Sequence, residues 1–188
     1  MATEFCPLVP ARWNDLEKVF GKKGAVAGCW CMHCRQTRTE RQKGSGETNR
    51  LAFKAIVESG TVPGLLAYQD NEPAGWCAIQ PREAYPALDS SKMMARVDDK
   101  PVWSTPCFYV PRLFRRQGLM RGLVGAAIEW ARQNGASIVE AYPFELDPGV
   151  KHPGLGYWTG YPHPFLEAGF VEVARRDKRH LIMRKYLR

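Results

Sequence analysis

Apolar residues recur along the chain with two periods, one near 3.6 and one near 2, and the places where the period changes outline a mixed fold. Phe5 to Val9 reads as a short strand. Pro10 can open a helix, on which Trp13, Leu16, Val19 and Phe20 recur at helical spacing. Gly21 to Gly28 is a turn, and the polar stretch Thr37 to Thr48 predicts a loop or a frayed helix. Asn49 to Glu58 predicts a helix packed through Leu51, Phe53, Ala55 and Ile56, stopped by Gly60. Strands Gly64 to Tyr68 and Ala74 to Ile79 flank a hairpin turn, Asp70-Asn71-Glu72-Pro73.

Pro81 to Lys100 reads as irregular, with one short helix at Arg82 to Leu88. Val102 to Val110 predicts a long strand, which Pro106 marks as an edge or a bulge. Gly118 to Gln133 carries the strongest helical stripe: Leu119, Leu123, Ala126, Ala127, Trp130 and Ala131 lie on one face. Ala136 to Tyr142 is a strand. Pro143 to Pro164, rich in Pro, Gly and aromatics, is longer than an ordinary connection. A short helix ends at Gly169, and Phe170 to Ala174 and His180 to Tyr186 are the last strands. This order predicts an α/β (α+β) fold: a mixed, mostly antiparallel sheet of about seven strands flanked by helices. The crossover from Val102 to Tyr142 makes its parallel part.

Length and composition refine this picture. A chain of 188 residues, 45% hydrophobic, suits one domain over residues 1–188. Its net charge of +8 favours anionic partners, or is a basic solvated surface. No apolar run approaches the ~20 residues that span a bilayer. The first residues lack the basic-then-apolar pattern of a signal peptide, so a cytoplasmic location and no membrane partner are expected. The six cysteines are then thiols rather than disulfides. Cys29, Cys31 and Cys34 cluster around His33. No second Cys/His pair follows at zinc spacing, so packing is expected and no metal is assigned.

The richest local signal is the run from Val110 to Leu123, with Arg115, Arg116, Gln117, Gly118, Leu119, Met120 and Arg121 at its centre. A strand runs in and a helix runs out. Unpaired N–H groups at a helix start bind anions, and Gly118 lets a ligand approach the backbone. Arg115 and Gly118, with the strand Cys107-Phe108-Tyr109-Val110 before them, resemble the signature of the GCN5-related N-acetyltransferase (GNAT) superfamily: Gln or Arg, two residues, Gly, one residue, then Gly or Ala. Met120 departs from the small final residue. Phe165-Leu166-Glu167-Ala168-Gly169-Phe170 is similar to the family's tyrosine-x-x-x-Gly-Phe, with Phe165 at the tyrosine position. The element order over roughly residues 3–187 also agrees.

The resemblance implies acetyl-CoA as co-substrate, seated between two splayed strands. Its pantetheine arm would pair with Phe108, Tyr109 and Val110, and its pyrophosphate would lie on the N–H groups of Arg116 to Arg121. The implied reaction is direct attack of an amine on the thioester, with an N–H donor for the oxyanion. Glu83 and Glu140 are the carboxylate candidates for taking the amine's proton; each is equally read as a surface or salt-bridged residue. Since Phe165 has no hydroxyl, Tyr161 is the candidate acid, with Tyr142 and Tyr157 behind it. Trp30, Trp103, Tyr142 and Trp158 suit an aromatic acceptor pocket for a small-molecule amine. His33, His152 and His163 read as polar surface. A monomer or homodimer is expected. Two readings compete: an acyl-CoA-binding sensor without turnover, and a basic nucleic-acid-binding module, which the scattered charge and missing recognition motifs disfavour.

Overall fold

The computed structural model describes residues 2–147, 149 and 157–187. The first strand, β1 (Thr3–Pro7), is followed by a 3-10 turn at Pro10–Arg12 and by α1 (Trp13–Phe20), whose Trp13, Leu16, Val19 and Phe20 are all buried. The stretch expected to be loop or frayed helix contains a formed helix, α2 (Arg38–Lys43). Its start is fixed by a capping box: Glu40 N–H donates to Thr37 Oγ1 at 3.4 Å, and Thr37 N–H donates to the Glu40 carboxylate at 2.7 Å. Helix α3 (Glu47–Glu58) buries Asn49, Phe53 and Val57. Leu51, expected to pack, is 54% exposed. The face is rotated because Asn49 is anchored inward: its amide donates to Gly28 O at 3.0 Å, and it accepts from Gln36 at 2.9 Å.

Strands β2 (Gly64–Gln69) and β3 (Glu72–Ala78) form a hairpin turned by Asp70 and Asn71 alone, both in the left-handed region at φ 47° and 68°. Two such residues are what a two-residue hairpin loop requires. A 3-10 turn at Arg82–Ala84 and α4 (Pro86–Asp89) follow β4 (Gln80–Pro81). The predicted long strand divides at Pro106 into β5 (Trp103–Thr105) and β6 (Phe108–Tyr109). The remainder is α5 (Leu119–Gln133), β7 (Ile138–Ala141), α6 (Pro162–Glu167), β8 (Val171–Arg175) and β9 (Leu181–Tyr186).

One sheet has the order β1-β2-β3-β6 and the other β4-β5-β7-β9-β8. The near-continuous pairs β3/β4 and β5/β6 each pass from one sheet to the other. Counted as single strands, they give a seven-strand order in which only β5 and β7 run parallel. Side chains alternate between two cores. Trp76 joins Trp13, Phe20, Trp30 and Phe53 on one face, while Cys77 joins Leu119, Leu123, Ala127 and Phe165 on the other. Among the described residues, no helix is long and apolar enough to cross a membrane.

Candidate active site

The site starts where β5 and β7 part. Their parallel ladder pairs Trp103 with Val139, Ser104 with Glu140 and Thr105 with Ala141. Pro106, which has no N–H to give, then ends it. The chain crosses to β3, where Cys107 O accepts from Ala78 N–H at 2.9 Å and Tyr109 stands opposite Trp76. Beyond Ala141 the other branch turns toward β9, where Pro143 O accepts from Leu181 N–H at 3.2 Å. A gap opens between the two branches. Successive residues of a strand present their backbone groups to opposite edges. Phe108 and Val110 therefore face this gap, and Tyr109 faces β3, so the expectation that all three offer backbone groups to a ligand is corrected at Tyr109.

The chain's own segment Tyr157–Gly160 bridges the gap. Phe108 N–H donates to Trp158 O at 2.6 Å, and Phe144 N–H donates to Gly160 O at 2.9 Å. The methyl of Met120 rests on Gly160, where a Cβ would have no room. That side chain is directed at the bridging segment and not at the exposed loop before α5.

A 3-10 turn at Arg112–Phe114 carries β6 toward α5. Arg116 at φ 63° and Gly118 at φ 80° turn the backbone through the left-handed region, and no side chain caps the helix. The first intrahelical acceptor is Gly118 O, taken by Gly122 N–H at 3.1 Å. The N–H groups of Leu119, Met120 and Arg121 are thus left for an anion. A Cβ built on Gly118 meets nothing, so the space in front of this turn is open. Arg115, Arg116 and Gln117 are exposed around it. Arg115 Nε donates to Val110 O at 2.8 Å, and Gln117 Nε2 donates to Leu113 O at 3.1 Å. Arg121 makes a two-pronged pair with Glu167, 2.8 and 2.9 Å.

The predicted proton-transfer residues are placed very differently from one another. Glu140 is 1% exposed. Its Oε1 accepts from Arg82 Nη1 at 2.9 Å and from the Tyr142 hydroxyl at 2.7 Å, and its Oε2 accepts from Arg184 Nε at 2.7 Å. It is the centre of a buried charge network, closed outside by Asp89 on Arg82 and Asp98 on Arg184. Glu83 lies on the outer surface, within 3.5 Å of Arg96. Neither is a free carboxylate in a pocket. Phe165 is fully buried, edge-on to Phe108 at 5.7 Å and to Phe170 at 5.3 Å. Helix α6 begins at Pro162, and Tyr161 is its N-cap. Tyr161 stacks on Tyr157 at 6.2 Å. Partial burial raises its pKa, and the nearby Arg115 charge works against that rise.

Of the acceptor-pocket candidates, Trp30 and Tyr142 are core residues. Trp30 stacks on Trp13 at 6.1 Å, and the Tyr142 hydroxyl is enclosed by Glu140, Arg82 and Ser104, the last at 2.7 Å. Trp103 is half-buried against the α5 core. Trp158 is half-buried edge-on to His33 at 5.2 Å, and its buried Nε1 has no partner. A hollow of about 200 Å³ adjoins His33 between Cys34, Arg41, Ala87 and Met94. A larger depression of about 610 Å³ lies elsewhere, over Glu17, Trp30 and Arg50. His163 is exposed, 3.8 Å from Glu167, and His152 lies outside the described residues. No group of three or more His, Cys, Asp or Glu side chains among the described residues is placed to hold a metal ion.

Pattern reading gave no role to Ser104, Arg82 and Arg184. The partners of Glu140 come from distant parts of the chain.

Comparison with known proteins agrees with this geometry. The model of the acetyltransferase (GNAT) family matches residues 26–149. PaiA N-acetyltransferase from Thermoplasma acidophilum, solved with coenzyme A, superposes over 100% of both chains with a TM-score of 0.55 at 14% identity. YncA from Salmonella typhimurium, solved with acetyl-CoA, covers 100% of this chain and 95% of its own, with a TM-score of 0.56 at 14% identity. An N-acetyltransferase from Staphylococcus aureus Mu50 reaches 0.59 over 100% of both chains at 10% identity. No curated protein matches the sequence.

Proposed function

Because the chain belongs to the GNAT acetyltransferase family, we propose that it moves an acetyl group from acetyl-CoA to the primary amine of a small molecule, by direct attack of the amine on the thioester. One observation carries the cofactor: the uncapped start of α5, behind the left-handed Gly118, stands at the mouth of the gap between β6 and the chain leaving β7. The N–H groups of Leu119, Met120 and Arg121 would hold the pyrophosphate, with Arg115 and Arg116 adding positive charge. Val110 would offer its N–H to the pantetheine arm and the developing oxyanion, whereas the Phe108 N–H, held by Trp158 O at 2.6 Å, would serve the arm only by exchanging that partner.

The proton path follows from what is free to act. The amine must be neutral to attack, and Glu140 has both oxygens occupied by arginine and tyrosine donors. We assign it the positioning of Tyr142 and Arg82. The amine's proton then leaves through water, with Glu83 too far out on the surface to be a first recipient. Tyr161, which feels the Arg115 charge, is the donor we assign to the departing thiolate. Trp158, His33 and the 200 Å³ hollow beside them favour a small acceptor over an extended one. We also propose a cytoplasmic location, where acetyl-CoA is at hand.

The deciding experiment measures acetyl-CoA binding by thermal shift and thiol release against amino acids, polyamines, aminoglycosides and peptides. Binding, with thiol release for one small-amine class, is expected. No binding of acetyl-CoA or another short acyl-CoA sinks the reading. Binding without release across the panel makes the protein a sensor, and release with peptides alone moves the acceptor to a protein terminus.

A further inference from the structure

The hollow of about 200 Å³ on the acceptor side of the gap has an unbalanced charge. Arg41 lines it, and no aspartate or glutamate does. The two other titratable groups on its wall stay neutral at pH 7: burial pushes the Cys34 thiol up to about 12, and burial with the Arg41 charge lowers the His33 pKa. The hollow is one aromatic pair away from the gap. The His33 ring lies edge-on to Trp158 at 5.2 Å, and Trp158 O accepts the Phe108 N–H at 2.6 Å. Trp158 also keeps a buried Nε1 without a partner.

The donors of the hollow are held in place from outside it. Arg41 stands on α2, whose start the Thr37–Glu40 capping box fixes. Its Nη1 donates to His33 O at 3.0 Å and to Gln36 O at 3.4 Å, which pins the guanidinium to the loop before α2. Among the described residues no carboxylate pairs with Arg41, and its Nε and Nη2 have no partner. That leaves one whole Nε–Nη2 edge, the edge that takes two oxygens of one group side by side. On the facing wall, Ser91 Oγ accepts from the N–H groups of Met93 and Met94, both at 3.3 Å, so its own proton remains to be donated. This wall is tied to the buried network around Glu140, since Met94 O accepts from Arg82 Nη2 at 2.8 Å.

We infer that this hollow holds the carboxylate of the acceptor, so that the amine to be acetylated belongs to an amino acid or a similar small amine bearing a carboxylate. The inference rests on the proposed acetyl transfer and narrows its acceptor. The carboxylate would lie flat against the Nε–Nη2 edge of Arg41 with Ser91 Oγ as a third donor, and the amine would extend past His33 and Trp158 toward the gap. A carboxylate matches the hollow in charge and in oxygen number. A phosphoryl group brings up to two charges and three oxygens to a single cation. A polyamine or an aminoglycoside would set its own cations against Arg41 with no carboxylate there to receive them.

The test uses the full chain and two measurements. Thiol release from acetyl-CoA compares each of the common amino acids with its C-terminal amide. N-acetyl amino acids and their amides, which have no amine left to react, are titrated separately while the His33 ring is followed by NMR. The free acid of the preferred side chain is expected to exceed its amide about tenfold in kcat/KM and in affinity. Arg41→Met should bring the acid down to the level of the amide, the loss falling on KM rather than kcat. Arg41→Lys, which keeps the charge without the two-pronged edge, should recover only part of the preference. Equal use and binding of acid and amide, or a preference that survives Arg41→Met, overturns the inference. If no amine is turned over, the proposed transfer fails, and the titration alone decides the subsite by the same comparison. Should Arg41→Met fail to fold, the wild type decides: the acid must shield Arg41 from phenylglyoxal, mapped by mass spectrometry, and labelling that the acid leaves unchanged overturns the inference.

Discussion

Replacing Glu140 by Gln separates a structural carboxylate from a catalytic one. The Arg82, Glu140 and Arg184 side chains are 1%, 1% and 2% exposed, so the two guanidiniums share this single buried counter-charge. In Glu140→Gln one amide oxygen can still accept from one arginine and Tyr142, but the amide nitrogen is turned donor-to-donor against the other guanidinium. Removing one member of a buried ion pair typically costs about 3–5 kcal/mol. Each arginine here keeps an outer carboxylate: Asp89 for Arg82, and Asp98 for Arg184. The low end, about 3 kcal/mol, is therefore expected. For a domain of this size, that lowers the melting temperature by about 6–12 °C. Urea and thermal unfolding followed by tryptophan fluorescence measure it, with thiol release assayed well below the lowered midpoint. We expect a less stable protein that still binds acetyl-CoA and turns over within about threefold of wild type, since no step is assigned to the carboxylate itself. An unchanged melting temperature with turnover abolished would refute the reasoning and make Glu140 the base.

Three further outcomes are expected. Phe165→Tyr places a hydroxyl where the family has one, but inside a sealed cluster with Phe108 and Phe170; it should cost about 1–3 kcal/mol in urea unfolding without raising kcat, and a faster enzyme would show that the position is reachable by the thiolate. Gly118→Ala adds a Cβ that meets nothing, so its cost is backbone strain alone at φ 80°, about 1–2 kcal/mol, together with weaker acetyl-CoA binding by calorimetry; unchanged binding would remove the turn from the cofactor site. Asp98 is held down to about 2 by its hydrogen bonds from Arg184, against about 3.9 in the unfolded chain, so its stabilisation is complete above about pH 5 and is lost progressively as pH falls toward about 1; urea midpoints across that range should drop less steeply in Asp98→Asn than in wild type, and parallel curves would refute the pairing.

The fold was legible wherever its cause was local. The stripe of Leu119, Leu123, Ala127 and Ala131 gave α5, and Trp13, Leu16, Val19 and Phe20 gave α1, because one buried face is a sequence period. Thr37 and Glu40 had the spacing of a capping box, and α2 was readable from them. Two features were not local. Leu51 is as apolar as Phe53, and which of them packs was settled by Asn49 bonding a carbonyl 21 residues away. Pro106 announced an interruption in Val102 to Val110. That the interruption is a passage between two sheets depends on β3, β5 and β7 together.

The same distinction explains the site. An uncapped helix start behind a left-handed glycine is written in a dozen consecutive residues, so the turn at Arg115 to Arg121, where we propose the pyrophosphate binds, was legible in the sequence. A carboxylate's freedom to take a proton is not written beside it. Glu140 is engaged by Arg82 and Arg184, 58 and 44 residues away, and only tertiary pairing tells a base from a counter-ion. Charge counts suffer in the same way. The formal +8 includes Arg82 and Arg184, which sit inside the molecule against carboxylates, and Arg121, which is tied to Glu167. The positive field that an anionic ligand meets is consequently local. Arg115 and Arg116 stand exposed beside uncapped N–H groups, which favours a compact polyphosphate at that turn over an extended nucleic acid along the surface.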